Sequence, residues 1–207
     1  MITRFILACF FTLLTVGGMS SDPVRNYSGM VNFLKEYLSI KYSGLQFDQL
    51  LYVAAKQQKM YLISGNEVVA EYPVSTAKNG LGSALGSNKT PEGLHIIKEK
   101  VGAEVPLGGI IKEKVFTGEV SEIISDPKRL GEDRITTRLF HLAGVESGVN
   151  KDGNQDSYRR GIMIHGTPEE GLIGQPVSRG CVRMRNEDIL QLFRNVQHGT
   201  YVVILNN

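Results

Sequence analysis

Two short strings in the chain hold the residue types of a nucleophile and its base. One is Ile162-Met163-Ile164-His165-Gly166-Thr167; the other is Ser178-Arg179-Gly180-Cys181-Val182-Arg183-Met184. A free thiol, with a pKa of about 8.5, is mostly protonated at neutral pH. An imidazole that takes its proton, or stands beside it as imidazolium, turns it into an attacking thiolate. His165 and Cys181 are joined by a segment that carries glycines and two prolines. An imidazole at the end of an apolar strand can therefore fold back to a thiol at the end of a loop. Gly180 lets the backbone come close to a substrate carbonyl. The amides of Gly180 and Cys181 could then form an oxyanion hole. Arg183 lies two positions past Cys181, on the same face of an extended segment, where its guanidinium could hold a substrate carboxylate.

The cysteine count points the same way. The chain has two cysteines, Cys9 and Cys181. Residues 1–21 read as a secretory signal peptide: Arg4, an apolar run from Phe5 to Val16, then Gly17, Gly18, Ser20 and Ser21. An uncleaved N-terminal anchor is the alternative. Removing the leader removes Cys9 and leaves Cys181 alone in an oxidising compartment. An odd cysteine there is either intermolecular or a reactive free thiol.

With 207 residues, the chain has room for one ordinary domain with a full core. Its net charge of +2 is too small to argue for nucleic acid or strong membrane adhesion. No Cys-x-x-Cys or His-x-x-x-His spacing marks a metal site, and no cofactor or metal is expected. The glycine loop at 80–86 lacks the Gly-Lys-Ser/Thr of a phosphate-binding loop.

The elements that must position these groups are mainly strands. Residues 22–45 form an N-terminal extension whose Met30, Phe33, Leu34, Tyr37 and Leu38 predict a helix from Gly29 to Tyr42, ended by Gly44. Strands are predicted at 50–55, 59–64, 67–75, 94–101, 110–115, 135–142, 161–165 and 201–205. Polar loops fall at 79–88 and 144–160. Asn186-Glu187-Asp188 reads as an N-cap with acidic first-turn residues, opening a helix that runs to about Val196. Residues 46–207 thus form a mainly β domain, a sandwich or barrel with a few peripheral helices. His95 and His141 read as packing or partly exposed residues, and Arg159, Arg160 and Arg185 as surface or scaffold charges.

The motifs resemble the YkuD-type L,D-transpeptidases. That family carries a His-Gly strand end followed by Ser-His-Gly-Cys or Ser-Arg-Gly-Cys, with Arg or Asn two positions later. Here the second motif is Ser178-Arg179-Gly180-Cys181-Val182-Arg183, and Ser87-Asn88-Lys89-Thr90-Pro91-Glu92-Gly93 matches an upstream signature. The string from Gly153-Asn154 to Thr167-Pro168-Glu169-Glu170 resembles the Gram-negative branch, which makes the periplasm the expected location. The resemblance covers about residues 48 to 206. It implies a mainly β fold and action on peptidoglycan stem peptides, both as donor and as acceptor. By position, Cys181 is the nucleophile, His165 the base, and the Gly166 carbonyl the third member that orients the imidazole. Arg183 would bind substrate carboxylate, and Ser178 would be a structural or polar contact. Arg179 stands where some members have His; it removes a second imidazole, but its charge could still lower the thiol pKa.

The implied reaction is acyl transfer to an amine, commonly the diaminopimelate side chain of a neighbouring stem. Water as acceptor would make the protein an L,D-carboxypeptidase, or an amidase or endopeptidase that frees a wall-attached protein. A non-catalytic wall-binding module and a metal or redox protein are the other classes. Only the first two need a nucleophilic Cys181.

Overall fold

The computed structural model describes residues 26–207. The expected leader at 1–21 lies outside the described residues. Helix α1 spans Ser28–Lys41. It is followed by strands β1 (Gln49–Ala54), β2 (Lys59–Ser64), β3 (Glu67–Pro73), β4 (Gly93–Val101), β5 (Gly109–Lys112), β6 (Val115–Val120), β7 (Ile135–Gly144), β8 (Met163–Gly166) and β9 (Val182–Met184). Helix α2 (Asn186–Asn195) and strand β10 (Tyr201–Leu205) complete the order. Among the described residues the mainly β class with two α-helices holds.

The strands form one sheet in the order β3-β2-β1-β10-β4-β7-β5-β6, with β8 added to β7 and β9 to β8. Two pairs are parallel, β1 with β10 and β8 with β9. The apolar run of β1 is explained by burial on both faces, because side chains alternate across a strand. Leu51 and Val53 join a core with Met60, Phe140, Ile164, Val182, Met184, Ile189 and Leu192. Leu50, Tyr52 and Ala54 face the other way, into a core closed by Val31, Leu34 and Leu38 of α1. The β8–β9 pair and α2 therefore cover one face of the sheet, and α1 covers the other.

Two expectations need correction. The single strand expected at 110–115 is a hairpin, β5 and β6, turning at Glu113 and Lys114. Both adopt positive φ, 50° and 66°, the conformation a two-residue hairpin turn of the primed type demands. Asn186 does not cap α2. The cap position is Arg185, with no side-chain cap bond. The Asn186 amide is a buried hub instead: Oδ1 accepts from the Thr136 and Thr137 hydroxyls at 2.7 and 2.6 Å, and Nδ2 donates to the Thr167 carbonyl at 2.8 Å and to Glu170 at 2.7 Å. It fastens α2 to β7 and to the residues just past His165. Asn186→Ala would leave two buried hydroxyls and a carbonyl without that partner. The expected loss of stability is about 2–4 kcal/mol, read as a lower midpoint in urea at unchanged slope.

His95 on β4 is fully buried. Its ring nitrogens lie 3.1 Å from the Gly93 carbonyl and 3.0 Å from Ser157 Oγ. Burial pushes its pKa down to about 4, against the opposing pull of the Gly93 carbonyl. The unfolded chain takes up this proton near pH 6.5 and the folded one only near pH 4. Over that window the unfolded state binds more protons, so stability falls as pH falls, by about 3 kcal/mol in all. Thermal melts of His95→Gln are expected to lose that part of the acid sensitivity of the wild type.

Candidate active site

The two motifs meet through the β8–β9 pair. Its parallel register sets Ile164 beside Val182 and His165 beside Arg183. Cys181 immediately precedes β9. With a period of two, Cys181, Arg183 and His165 share one face of this pair, with Cys181 diagonal to His165. The sequence spacing alone suggested this approach; β9 is what produces it.

The turn that delivers Cys181 is held by Ser178. Its hydroxyl donates to the Cys181 carbonyl at 2.6 Å and accepts the Gly180 amide at 3.2 Å. Ser178 therefore clamps the backbone around Cys181. Gly180 has φ +130°, and a Cβ there would lie 3.3 Å from the Lys89 carbonyl. Only glycine takes this conformation without strain, so the turn packs directly against the loop before β4. The Gly180 amide already has Ser178 as its acceptor. The Cys181 amide meets no internal acceptor among the described residues, which makes it the better placed of the two expected oxyanion donors.

The Cys181 residue is half-buried. Sγ lies 3.5 Å from the Gly161 carbonyl and close to the Met163 amide. Burial pushes its pKa up to about 11; the Met163 amide, Arg183 and Arg160 pull it down, and Asp133 pushes it further up. Arg160, taken from sequence as a surface or scaffold charge, is thus one of the two cations near the sulfur. Its guanidinium donates to the Lys89 carbonyl at 2.7 Å, so it also supports the segment on which Gly180 rests. Arg179, the guanidinium expected to act on the thiol, is exposed and reaches the Gly131 carbonyl at 3.5 Å instead.

His165 is buried, 1% exposed. Nδ1 lies 2.8 Å from the Gly166 carbonyl. We assign the proton to Nδ1, because a carbonyl can only accept; Nε2 is then the basic nitrogen. This is the geometry expected of Gly166 as the orienting group. Burial lowers the imidazole pKa, with the Asp133 carboxylate and the Gly166 carbonyl working in the opposite direction and Arg183 adding to the depression. At neutral pH the resting pair is thus a neutral imidazole and a protonated thiol.

Arg183 departs furthest from expectation. Rather than presenting an open edge to a substrate carboxylate, it is 1% exposed. Nη1 pairs with Glu169 at 2.7 Å and Nη2 with Asp133 at 2.6 Å. Both terminal nitrogens are engaged inside the protein. Asp133 and Glu169 escaped the sequence reading. Asp133 sits in a polar string, Gly131-Glu132-Asp133-Arg134, with no spacing relation to the motifs. Glu169 lay inside the quoted Gram-negative string, but nothing in its residue type revealed its burial.

The family model of the L,D-transpeptidase catalytic domain, YkuD, matches residues 48–204. The candidate L,D-transpeptidase YkuD of Bacillus licheniformis is 54% identical over 41 residues, 20% of this chain and 25% of that protein. The candidate L,D-transpeptidase ErfK/SrfK of Escherichia coli K12 is 54% identical over 43 residues, 21% of this chain and 14% of that protein. The chain thus matches a quarter or less of the length of these curated relatives. Among solved structures, L,D-transpeptidase 3 from Mycobacterium tuberculosis, in complex with a faropenem-derived adduct, is 15% identical with a TM-score of 0.47. That alignment covers 77% of this chain and 60% of the other.

Proposed function

Since the chain belongs to the L,D-transpeptidase catalytic-domain family, we propose that it transfers acyl groups between peptidoglycan stem peptides through Cys181. The observation that carries this reading is the pairing of β8 with β9, which sets the half-buried Cys181 diagonal to an imidazole oriented by the Gly166 carbonyl.

His165 Nε2 takes the Cys181 proton as Sγ attacks the carbonyl carbon of the residue before a terminal D-Ala. The oxyanion of the tetrahedral intermediate accepts from the Cys181 amide. The C–N bond then breaks, D-Ala leaves as its amine with the proton from the imidazolium, and a thioester remains on Cys181. An acceptor amine, such as the diaminopimelate side chain of a neighbouring stem, loses a proton to His165 and attacks the thioester. The new amide forms, and the C–S bond breaks to regenerate the thiol. Arg183 enters as a substrate-carboxylate ligand only where that carboxylate takes the place of Asp133. We place the enzyme outside the cytoplasm, where its substrate lies and where a leader at 1–21 would send it.

The test is incubation of the purified protein with tetrapeptide stems, with products identified by mass spectrometry. Crosslinked dimers and free D-Ala are the expected products. Tripeptide and D-Ala without dimers would replace the amine by water and make the protein an L,D-carboxypeptidase. No product, from a thiol that nevertheless alkylates, would overturn the reading.

A further inference from the structure

Arg183 stands between two carboxylates of different character. Glu169 is fixed: it is buried, it pairs with Arg183 Nη1, and it accepts the Leu130 amide at 2.5 Å. Asp133 belongs to the segment between β6 and β7, and its side chain keeps 21% exposure. That segment lies along the residues that follow β8. The Ile124 amide donates to the Pro168 carbonyl at 2.8 Å, and the Gly171 amide to the Ile124 carbonyl at 3.0 Å. Nearer Asp133, the Leu130 amide is tied to Glu169, and the Arg183 pair itself seats the Asp133 carboxylate beside β9.

The charge count is simple. One carboxylate neutralises Arg183, and the second leaves the trio with a net charge of −1 beside a buried imidazole. Without that surplus, His165 would face only the balanced Arg183–Glu169 pair. The other charged groups around the site are Arg160, which acts on the thiol, and Arg179, which faces Asp133 from the exposed side. The β7 residue opposite His165 is Leu139, which carries no charge.

We infer that Asp133 is a positioning residue for proton transfer: seated on Arg183 beside His165, it supplies the anion that stabilises the imidazolium formed when Cys181 gives up its proton. It touches neither substrate nor reacting atoms. The same anion opposes a free thiolate. It thereby favours a proton held on His165 over one lost to solvent, and it ties deprotonation of the thiol to the base. Burial works against ionisation of Asp133 itself, but His165 whenever it is protonated, and the paired Arg183 guanidinium throughout, hold its carboxyl below the ordinary range. It is therefore ionised wherever the enzyme works.

The kinetic arm of the test rests on the acyl-transfer reading; an alkylation arm does not. Asp133→Asn keeps the shape and removes the charge. Iodoacetamide alkylation of Cys181 and release of D-Ala are followed against pH. For Asp133→Asn the acid limb of D-Ala release is expected to move to lower pH by about one unit, because imidazolium loses its anion. The alkaline rise in alkylation moves to lower pH as well, because the thiolate loses a repelling neighbour. Asp133→Glu retains a carboxylate and should stay close to wild type, as should Glu132→Gln, which removes an exposed charge paired with Arg134. A loss of rate with both pH limits unmoved would make Asp133 merely structural and overturn the inference, as would limits that move upward. If Asp133→Asn does not fold, Asp133→Ser carries the same comparison. A wild type that alkylates but releases no D-Ala defeats the acyl-transfer reading alone, since the alkylation arm still decides the role of Asp133.

Discussion

Cys181→Ala is expected to stop release of D-Ala altogether, a loss of about 10⁴-fold or more, while the protein remains folded. The two halves of this expectation have separate grounds. The sulfur makes only a long contact with the Gly161 carbonyl, at 3.5 Å, and one with the Met163 amide. A thiol is a weak hydrogen-bonding group, so its removal costs about 1 kcal/mol or less. The turn itself is held by Ser178 and Gly180, which the substitution leaves alone. Chemistry has no such reserve. Cys181 is the sole cysteine among the described residues, and no other nucleophile shares its face of β9. Circular dichroism and a melt, run beside the product assay, separate the two halves. D-Ala release that survives in Cys181→Ala would assign the chemistry to a different nucleophile.

The second large effect belongs to His165. The thiol, with its pKa pushed up to about 11, is ionised to only about one part in 10⁴ at pH 7. Catalysis at neutral pH therefore depends on a base that takes the proton during attack. His165→Ala removes it, and D-Ala release at pH 7 is expected to fall by about 10²–10⁴-fold. The pH dependence carries the diagnosis. The wild type should lose rate on the acid side, where His165 is protonated, below the ordinary histidine value because burial lowers its pKa. His165→Ala should have no such limb. Its rate should instead climb about tenfold per pH unit through the neutral range, following free thiolate. Equal alkylation rates in the two proteins at pH 7 would remove His165 from the role of base.

How much of this was legible in the sequence depended on whether neighbours in space were also neighbours in pattern. The strands at 59–64 and 201–205 were readable because apolar, β-rich runs sit between turn residues, and both occur as expected. Strand β9 was not. It has only three residues, and it pairs with a strand that precedes it by an irregular loop. The β5–β6 turn was hidden because Glu113 and Lys114 take positive φ without the Gly or Asn that usually signals it. Asn186 carries the residue type of a cap and spends its amide elsewhere, on β7 and on Glu170. Cys181, His165 and Gly166 stood out because their motifs are contiguous. Asp133 did not, because its contact with Arg183 crosses from one loop to a distant strand. Sequence patterns report periodicity within an element. They are blind to a carboxylate brought from outside it.

Strand β10 has consequences for the order in which the molecule can be assembled. It lies between β1 and β4 in the middle of the sheet and pairs with β1 in parallel, through Leu50 with Tyr201 to Ala54 with Leu205. Almost the whole described chain separates those partners. A chain that lacks residues 201–205 has a gap where the centre of its sheet should be. Val202 and Ile204 are missing from one core and Val203 from the other. Contacts of such long sequence separation form slowly and late. Both cores are thus completed only once residues 201–205 are in place. Val182 and Met184, which follow Cys181 on β9, pack into the core that Val202 and Ile204 complete, so the setting of Cys181 depends on a strand far from it in the sequence.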